Sequence, residues 1–181
     1  MSKKIVIVFH SGYGHTKKVA EAVAEGSAGA LLAIDAEGNL PAGGWEQLAA
    51  ADAIVFGAPT YMGGPSWQFK KFADASSKPW FVKAWRNKLA AGFTNSATLN
   101  GDKLSTLHYM FTLAMQHSMV WVGTGMMPSN NKAATRDSIN NVGSFSGLMT
   151  TTPSDASADE MVPGDIARSE ERRVGKECTI Q

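Results

Sequence analysis

Apolar positions along the chain switch between two periods. Ile5-Val6-Ile7-Val8-Phe9 is an unbroken β-branched and aromatic run, the pattern of a strand buried on both faces, as in a parallel sheet. Val19, Ala20, Val23 and Ala24 recur at helical spacing over 16–25, and Gly26 offers a stop. Ala30-Leu31-Leu32-Ala33-Ile34 predicts a second strand and 45–51 a short helix. Ala53-Ile54-Val55-Phe56 predicts a third strand, closed by Gly57-Ala58-Pro59. Phe69, Phe72 and Ala73 share one face of a helix over 66–76. Leu89-Ala90-Ala91-Gly92-Phe93 predicts a fourth strand. Leu104, Leu107, Phe111 and Ala114 form the apolar stripe of a helix over 102–117. Val120-Trp121-Val122 predicts a fifth strand.

Alternating strands and helices predict an α/β fold: a doubly wound, five-stranded parallel sheet in a three-layer sandwich. Ligands in such folds bind beyond the carboxyl ends of the strands. Those ends are the loops at 10–16, 58–64, 94–101 and from 123 onward. The stretch 123–163 breaks the rhythm: it lacks periodicity and is rich in Gly, Ser, Thr, Asn and Met. A segment that long is functional or hides an element. The expectation is an excursion at the ligand end of the fifth strand, with Asp165 capping a last helix.

Composition narrows the picture. The 181 residues, 44% of them hydrophobic, suit one domain with a real core. Lys and Arg number 17 against 16 Asp and Glu, a net charge of +1. That balance removes the electrostatic case for nucleic acid or an anionic membrane. The lone Cys178 makes neither an internal disulfide nor a multi-cysteine zinc site, so a reducing cytoplasm is the expected compartment. The first apolar run, of five residues, is too short for a signal-peptide core or a membrane span.

The first loop, Ser11-Gly12-Tyr13-Gly14-His15-Thr16, carries the sharpest chemistry. It joins a buried strand to a helix amino terminus, where free N–H groups and the helix dipole favour an anion. The Ser11 and Thr16 hydroxyls can donate to phosphate oxygens. Neither Gly-Lys-Ser/Thr nor Gly-x-Gly-x-x-Gly is present, so a terminal monophosphate fits better than a nucleoside triphosphate or a dinucleotide. The plainer alternative is an ordinary turn with Ser and Thr as caps.

This loop resembles the FMN phosphate loop of the flavodoxin-like NAD(P)H:quinone oxidoreductases, the WrbA-like group. Pro59-Thr60-Tyr61-Met62-Gly63-Gly64 stands where that family has a Pro-Thr flavin loop, although Tyr61-Met62 stand where the family often has a basic or bulky polar residue followed by an aromatic. Thr94-Asn95-Ser96-Ala97-Thr98 stands at another flavin-contacting loop, and 113–120 resembles the segment that carries the family's histidine. The resemblance covers about 3–167. It implies a flavodoxin-like fold and FMN, with phosphate at Ser11 to Thr16 and the ring across Pro59 to Gly63 and Thr94 to Thr98. It also implies NADH or NADPH as cosubstrate, a quinone acceptor, hydride passage through flavin N5, ping-pong turnover and a homo-oligomer, dimer or tetramer. Tyr61 and His117 are the expected catalytic residues, His117 on the ligand side, and Trp80 the aromatic that approaches a neighbouring subunit's flavin. The blander alternatives are a covering aromatic for Tyr61, a helix-dipole partner for His117 and local packing for Trp80.

Other functions remain open at this point: a flavodoxin that only carries electrons, or a scaffold that binds no flavin. Carriers are typically acidic, and this chain is neutral. Asp35 and Glu37 read as turn acids. Asp155, Asp159 and Glu160 read as solvated, and no metal is expected. His15, Lys17 and Lys18 add positive potential or are simply solvated. The last stretch differs in kind. Seven of the 14 residues over 168–181 are charged, and 168–178 resembles a translated sequencing adapter. The expected domain is therefore 1–167, followed by a tail of foreign character. Without that tail the chain holds 13 basic and 13 acidic residues and no cysteine.

Overall fold

The computed structural model describes residues 3–170. Its elements run β1 (Ile5–Phe9), α1 (His15–Ser27), β2 (Ala30–Ala33), α2 (Gly44–Ala50), β3 (Ala53–Tyr61), β4 (Gly64–Pro65), α3 (Trp67–Ala75), α4 (Ser77–Phe81), β5 (Leu89–Ser96), α5 (Lys103–Gln116), β6 (Val120–Trp121), β7 (Leu148–Thr151), a 3₁₀ turn (Ala158–Glu160) and α6 (Pro163–Glu170). The strand order is β2-β1-β3-β5-β6, parallel throughout, with β7 also on β5 and β4 a short antiparallel partner of β3. The chain steps outward from β1 to β2, then returns past β1 to β3. That reversal is the switch point at which doubly wound sheets open a crevice.

Alternation along the strands builds both faces. Ile5, Ile7 and Phe9 pack with Val55, Phe93 and Leu148 beneath Val19, Ala20 and Val23 of α1. Val6 and Val8 point the other way, into Ile54, Phe56, Phe69, Phe72, Trp85, Leu107 and Met110. A strand with both neighbours' sides covered must be apolar at every position, which is why β1 has no polar residue. Trp85, fully buried, is the largest such side chain.

Several expectations need correction. Gly26 lies inside α1, which ends only at Ala28 in the left-handed region (φ 52°). The stripe of α5 is Thr106, Leu107, Met110, Leu113 and Ala114, while Leu104 and Phe111 are exposed. Pairing carries β3 past Pro59 to Tyr61 and β5 past Phe93 to Ser96, so Thr60 and Thr94 sit on strands. The largest difference is in the fifth lane. β6 pairs only with Leu89 and Ala90, and β7 resumes beside Phe93 to Ser96. The fifth strand is thus split, and 122–147 is an excursion from its middle. The strand over 148–151 was hidden because the run Thr150-Thr151-Thr152 is polar although buried. Asp165 is not a cap: it lies inside α6, buried, bound by both terminal nitrogens of Arg136 (3.1 and 2.6 Å) and by the Thr151 amide (2.9 Å). Residues 171–181, which hold most of the adapter-like stretch, lie outside the described residues.

Candidate functional site

A cavity of about 340 Å³ opens at the carboxyl ends of β1, β3 and β5. That volume lies within the range of small-molecule sites. Tyr13, His15 and Thr16 line one side, Pro59, Thr60 and Tyr61 the middle, and Asn95, Ser96 and Ala97 the far side, with Thr152 and Ser154 closing it. Three expected loops therefore meet in one place.

The first wall follows from the loop's sequence. Ser11 Oγ accepts the Gly14 and Lys17 amides, both at 3.1 Å, and so caps α1 from three residues before the cap position. Gly14 stands at φ 90°, which favours glycine. Among the described residues, no acceptor meets the His15 and Thr16 amides. Two free amides and the Thr16 hydroxyl at the positive end of a 13-residue helix form an anion site. Gly12 lets Tyr61 approach the loop: a Cβ there would stand 2.7 Å from Tyr61 Oη and push that side chain aside. His15 is not simply solvated, since its Nε2 lies 2.9 Å from the Ala156 carbonyl and ties the loop to the closing segment. Lys17 pairs with Glu21 (3.8 Å) and Lys18 with Asp159 (3.5 Å), all on exposed surface.

The middle wall is pinned from below. The Thr60 hydroxyl lies 2.8 Å from both the Thr94 and Thr106 hydroxyls, in a buried triad. The Thr60 and Thr94 side chains thus hold β3 and β5 to α5 and are spent inside the protein. Tyr61 remains in the cavity, edge-on to Tyr13 (6.3 Å, 79°). Burial pushes its hydroxyl pKa up. Met62 (φ 49°) and Gly63 (φ 76°) are the centre of a two-residue hairpin between β3 and β4, with Met62 fully exposed one residue beyond Tyr61.

On the far wall the Asn95 carboxamide is oriented by two hydroxyls. Thr150 and Thr152 donate to its Oδ1 at 2.8 and 3.0 Å, which leaves the Nδ2 donors free on the cavity side. Thr98 lies outside the cavity, its carbonyl accepting from Ser96 and Lys103. Thr152, Ser154 and Lys103 escaped the sequence reading. The first two follow the unrecognised strand, and nothing in the sequence around Lys103 marks a lysine at a helix start as buried.

His117 and Trp80 are elsewhere. Helices antiparallel to their strands end at the strands' amino ends, so His117, the cap of α5, sits beside the start of β5, where the Asn87 amide meets the Ser118 carbonyl. The length of β5 separates it from the cavity, roughly 23 Å at 3.3 Å per residue. Its Nε2 lies 2.8 Å from Ser76 Oγ, its ring stacks on Trp85 at 4.1 Å, and burial lowers its pKa to about 4. A neutral, enclosed imidazole there reaches neither the cavity nor a ligand in it. Trp80 lines a second groove at that end, with Phe81, Lys83, Met115 and the edge of His117 itself. Asp35 accepts the Glu37 and Asn39 amides, as a turn acid does.

Among the described residues no helix is long and apolar enough to cross a membrane. Residues 44–134 match the family model of NADPH-dependent FMN reductases. The chain is 53% identical over 163 residues to flavodoxin FldP of Pseudomonas aeruginosa, covering 90% of this chain and 89% of that protein. It is 34% identical over 143 residues to an NAD(P)H dehydrogenase (quinone) of Geobacter sulfurreducens, covering 66% of this chain and 70% of that one. A crystal structure of the WrbA-like flavodoxin of Agrobacterium tumefaciens superposes with a TM-score of 0.78 at 52% identity, over 94% of this chain and 92% of that one. The chain belongs to the flavodoxin-like NADPH-dependent FMN reductase family.

Proposed function

We propose that this chain is an FMN-dependent oxidoreductase that moves two electrons from NAD(P)H to a quinone or similar acceptor. Bound FMN would supply the redox chemistry, taking hydride at N5 from NAD(P)H and a proton from solvent, and passing two electrons and two protons to the acceptor in a ping-pong cycle. The observation that carries the reading is the pair of free amides, His15 and Thr16, opening with the Thr16 hydroxyl into the cavity. They suit a terminal phosphate. The rest of the cavity suits a flat polar ring. Asn95 offers oriented donors, and Tyr61 and Tyr13 flank the mouth. Pro59 to Gly63 and Asn95 to Ala97 would hold and orient the ring.

The unit that does this is 1–167 together with the end of α6, whose Arg168 and Ser169 are buried against it. Trp80 (48% exposed), Phe81 (80%) and Val82 (70%) support a homo-oligomer in which this aromatic segment meets a second copy. Trp80 lies far from its own chain's cavity, so any cavity it approaches is the neighbour's.

A second reading, an electron carrier between proteins, draws on the 53% identity to a protein named flavodoxin. One titration separates the two. Purified protein is mixed with FMN, and its visible spectrum is followed during anaerobic addition of NADH or NADPH, then a quinone. Bleaching by the nicotinamide and recovery with the quinone support the enzyme. Binding without bleaching supports the carrier. No binding removes both.

A further inference from the structure

Lys103 is the residue the site leaves unexplained. It opens α5 and is fully buried. Its Nζ donates to Ser96 Oγ (2.9 Å), the Thr98 carbonyl (2.6 Å) and Thr151 Oγ1 (2.9 Å). All three acceptors are neutral, whereas a buried ammonium ordinarily has a carboxylate against it. Position adds a second cost. A cation in the first turn of a helix meets the positive end of the dipole; cations are favoured at the other end.

Nearby charges do not remove the imbalance. Asp165 of α6 attracts the ammonium and Arg136 of the excursion repels it. Asp165 is already held by both terminal Arg136 nitrogens and the Thr151 amide. Arg168 of α6, bound to the Met149 and Ser144 carbonyls, adds a further cation to that region. Asp102, next to Lys103 on the chain, is exposed and makes no side-chain hydrogen bond to it. Positive charge is thus in excess behind one wall of the cavity. Ser96, which Lys103 holds, lines that wall, and so does Thr152, next to Thr151. The α1 amino terminus is two strand spacings away across β3, roughly 9–10 Å. The excess therefore faces the end of the cavity remote from the phosphate site.

We propose that Lys103 is a positioning residue that keeps positive potential behind the Ser96 wall, so that the cavity prefers the anionic reduced form of FMN over the oxidised form. The proposal rests on the FMN reading above. The phosphate is the same in both redox forms, so the ratio of the two affinities isolates the ring end. Burial lowers the Lys103 pKa to about 8, so the preference should fade as pH rises through that value. An arginine there would stay charged.

The test compares the wild type, Lys103→Met and Lys103→Arg. Dissociation constants are measured for oxidised FMN and, anaerobically, for chemically reduced FMN at pH 7. Lys103→Met is expected to lose about tenfold in the reduced-to-oxidised affinity ratio, an effect consistent with one charge at this range. For a two-electron couple that is a midpoint potential lower by about 30 mV. Lys103→Arg should keep the ratio. An unchanged ratio in folded Lys103→Met overturns the proposal. Should that variant fail to fold, the wild type decides between pH 7 and 9: a ratio that does not fall beyond free FMN's own change overturns it. Failure of the wild type to bind FMN overturns both this proposal and the reading beneath it. FMN binding without reduction by NAD(P)H removes the enzyme alone, and the affinity ratio still decides the role of Lys103.

Discussion

Helix α3 has a histidine–serine pair at each end. At its start Ser66 Oγ lies 2.8 Å from His10 Nδ1; at its finish Ser76 Oγ lies 2.8 Å from His117 Nε2. Both histidines are 3% exposed, and burial lowers the pKa of each. The local chemistry is nearly the same, yet the surroundings are opposite. His10 follows β1 and lies beside Gly12, in the loop that walls the cavity. His117 lies under Trp85, within the stack of Trp45, Phe72 and Trp85. At the carboxyl end of the sheet, polar groups are left facing open space. At the amino end, the inner face of the histidine is packed with aromatic rings, and its outer edge meets the groove of Trp80 and Phe81. A histidine with a hydroxyl partner does not make a site; its place on a parallel sheet does.

The sharpest way to break that contrast is at the amino end. Trp85→Ala should cost about 3–5 kcal/mol through lost burial and the cavity it leaves, read as a lower urea midpoint. FMN affinity of the folded variant should stay within about twofold. A large loss of affinity with little loss of stability would reverse the roles assigned to the two ends.

Acid titration probes the same end. His117 is held neutral with a pKa of about 4, against 6.5 when unfolded. Between those values the unfolded chain binds the extra proton, so stability falls as pH drops from 6.5 to 4. The loss should reach about 2–3 kcal/mol. His117→Asn should flatten this part of the stability profile relative to wild type, with cofactor affinity unaltered. A profile unchanged by the substitution would mean that the imidazole is not held neutral.

At the carboxyl end the signs exchange. Thr16→Ala should weaken FMN by about 1–3 kcal/mol, the worth of a hydrogen bond to a charged partner, with little change in unfolding. Ser11→Ala is a mixed case. Its oxygen caps α1 through Gly14 and Lys17, so stability should fall as well, by about 1 kcal/mol. Flavin-binding titrations paired with denaturation curves separate the two variants.

The same contrast explains what could be read in the sequence. β1 was legible because burial on both faces demands an unbroken apolar run. The first loop was legible because glycines and hydroxyls between a strand and a helix amino terminus leave few other readings. The fifth lane was not. β7 buries Thr150 and Thr151, whose hydroxyls find partners in Asn95 and Lys103, so hydrophobicity gave no sign of a strand. Lys103 was missed for a related reason: a lysine in a helix is ordinarily solvated, and only tertiary packing encloses this one. His117 was misplaced by direction. A helix that returns to start the next strand ends away from the ligand loops, a consequence of topology that sequence spacing does not display.

Two strained residues, one at each end, give the finest comparison. Ser118 stands at φ 57° just past α5, where its amide meets the Met115 carbonyl and the Met119 amide meets the Ala114 carbonyl. That is a helix stop in which glycine is the usual residue. Met62 stands at φ 49° in the β3–β4 turn, where both central residues need positive φ. Both side chains are exposed, so glycine at either position relieves the left-handed backbone and removes little packing. Each of Ser118→Gly and Met62→Gly should gain about 0.5–1 kcal/mol, seen as a modest rise in Tm. Function should separate them. Ser118→Gly should leave the proposed quinone reduction as it is. Met62→Gly strips an exposed apolar side chain next to Tyr61 of the cavity and should raise KM for an apolar quinone a few-fold, with kcat little changed. An interaction made equally with bound substrate and transition state acts on KM alone when it is removed. Equal kinetics in the two variants would show that the strained methionine serves the turn and nothing beyond it.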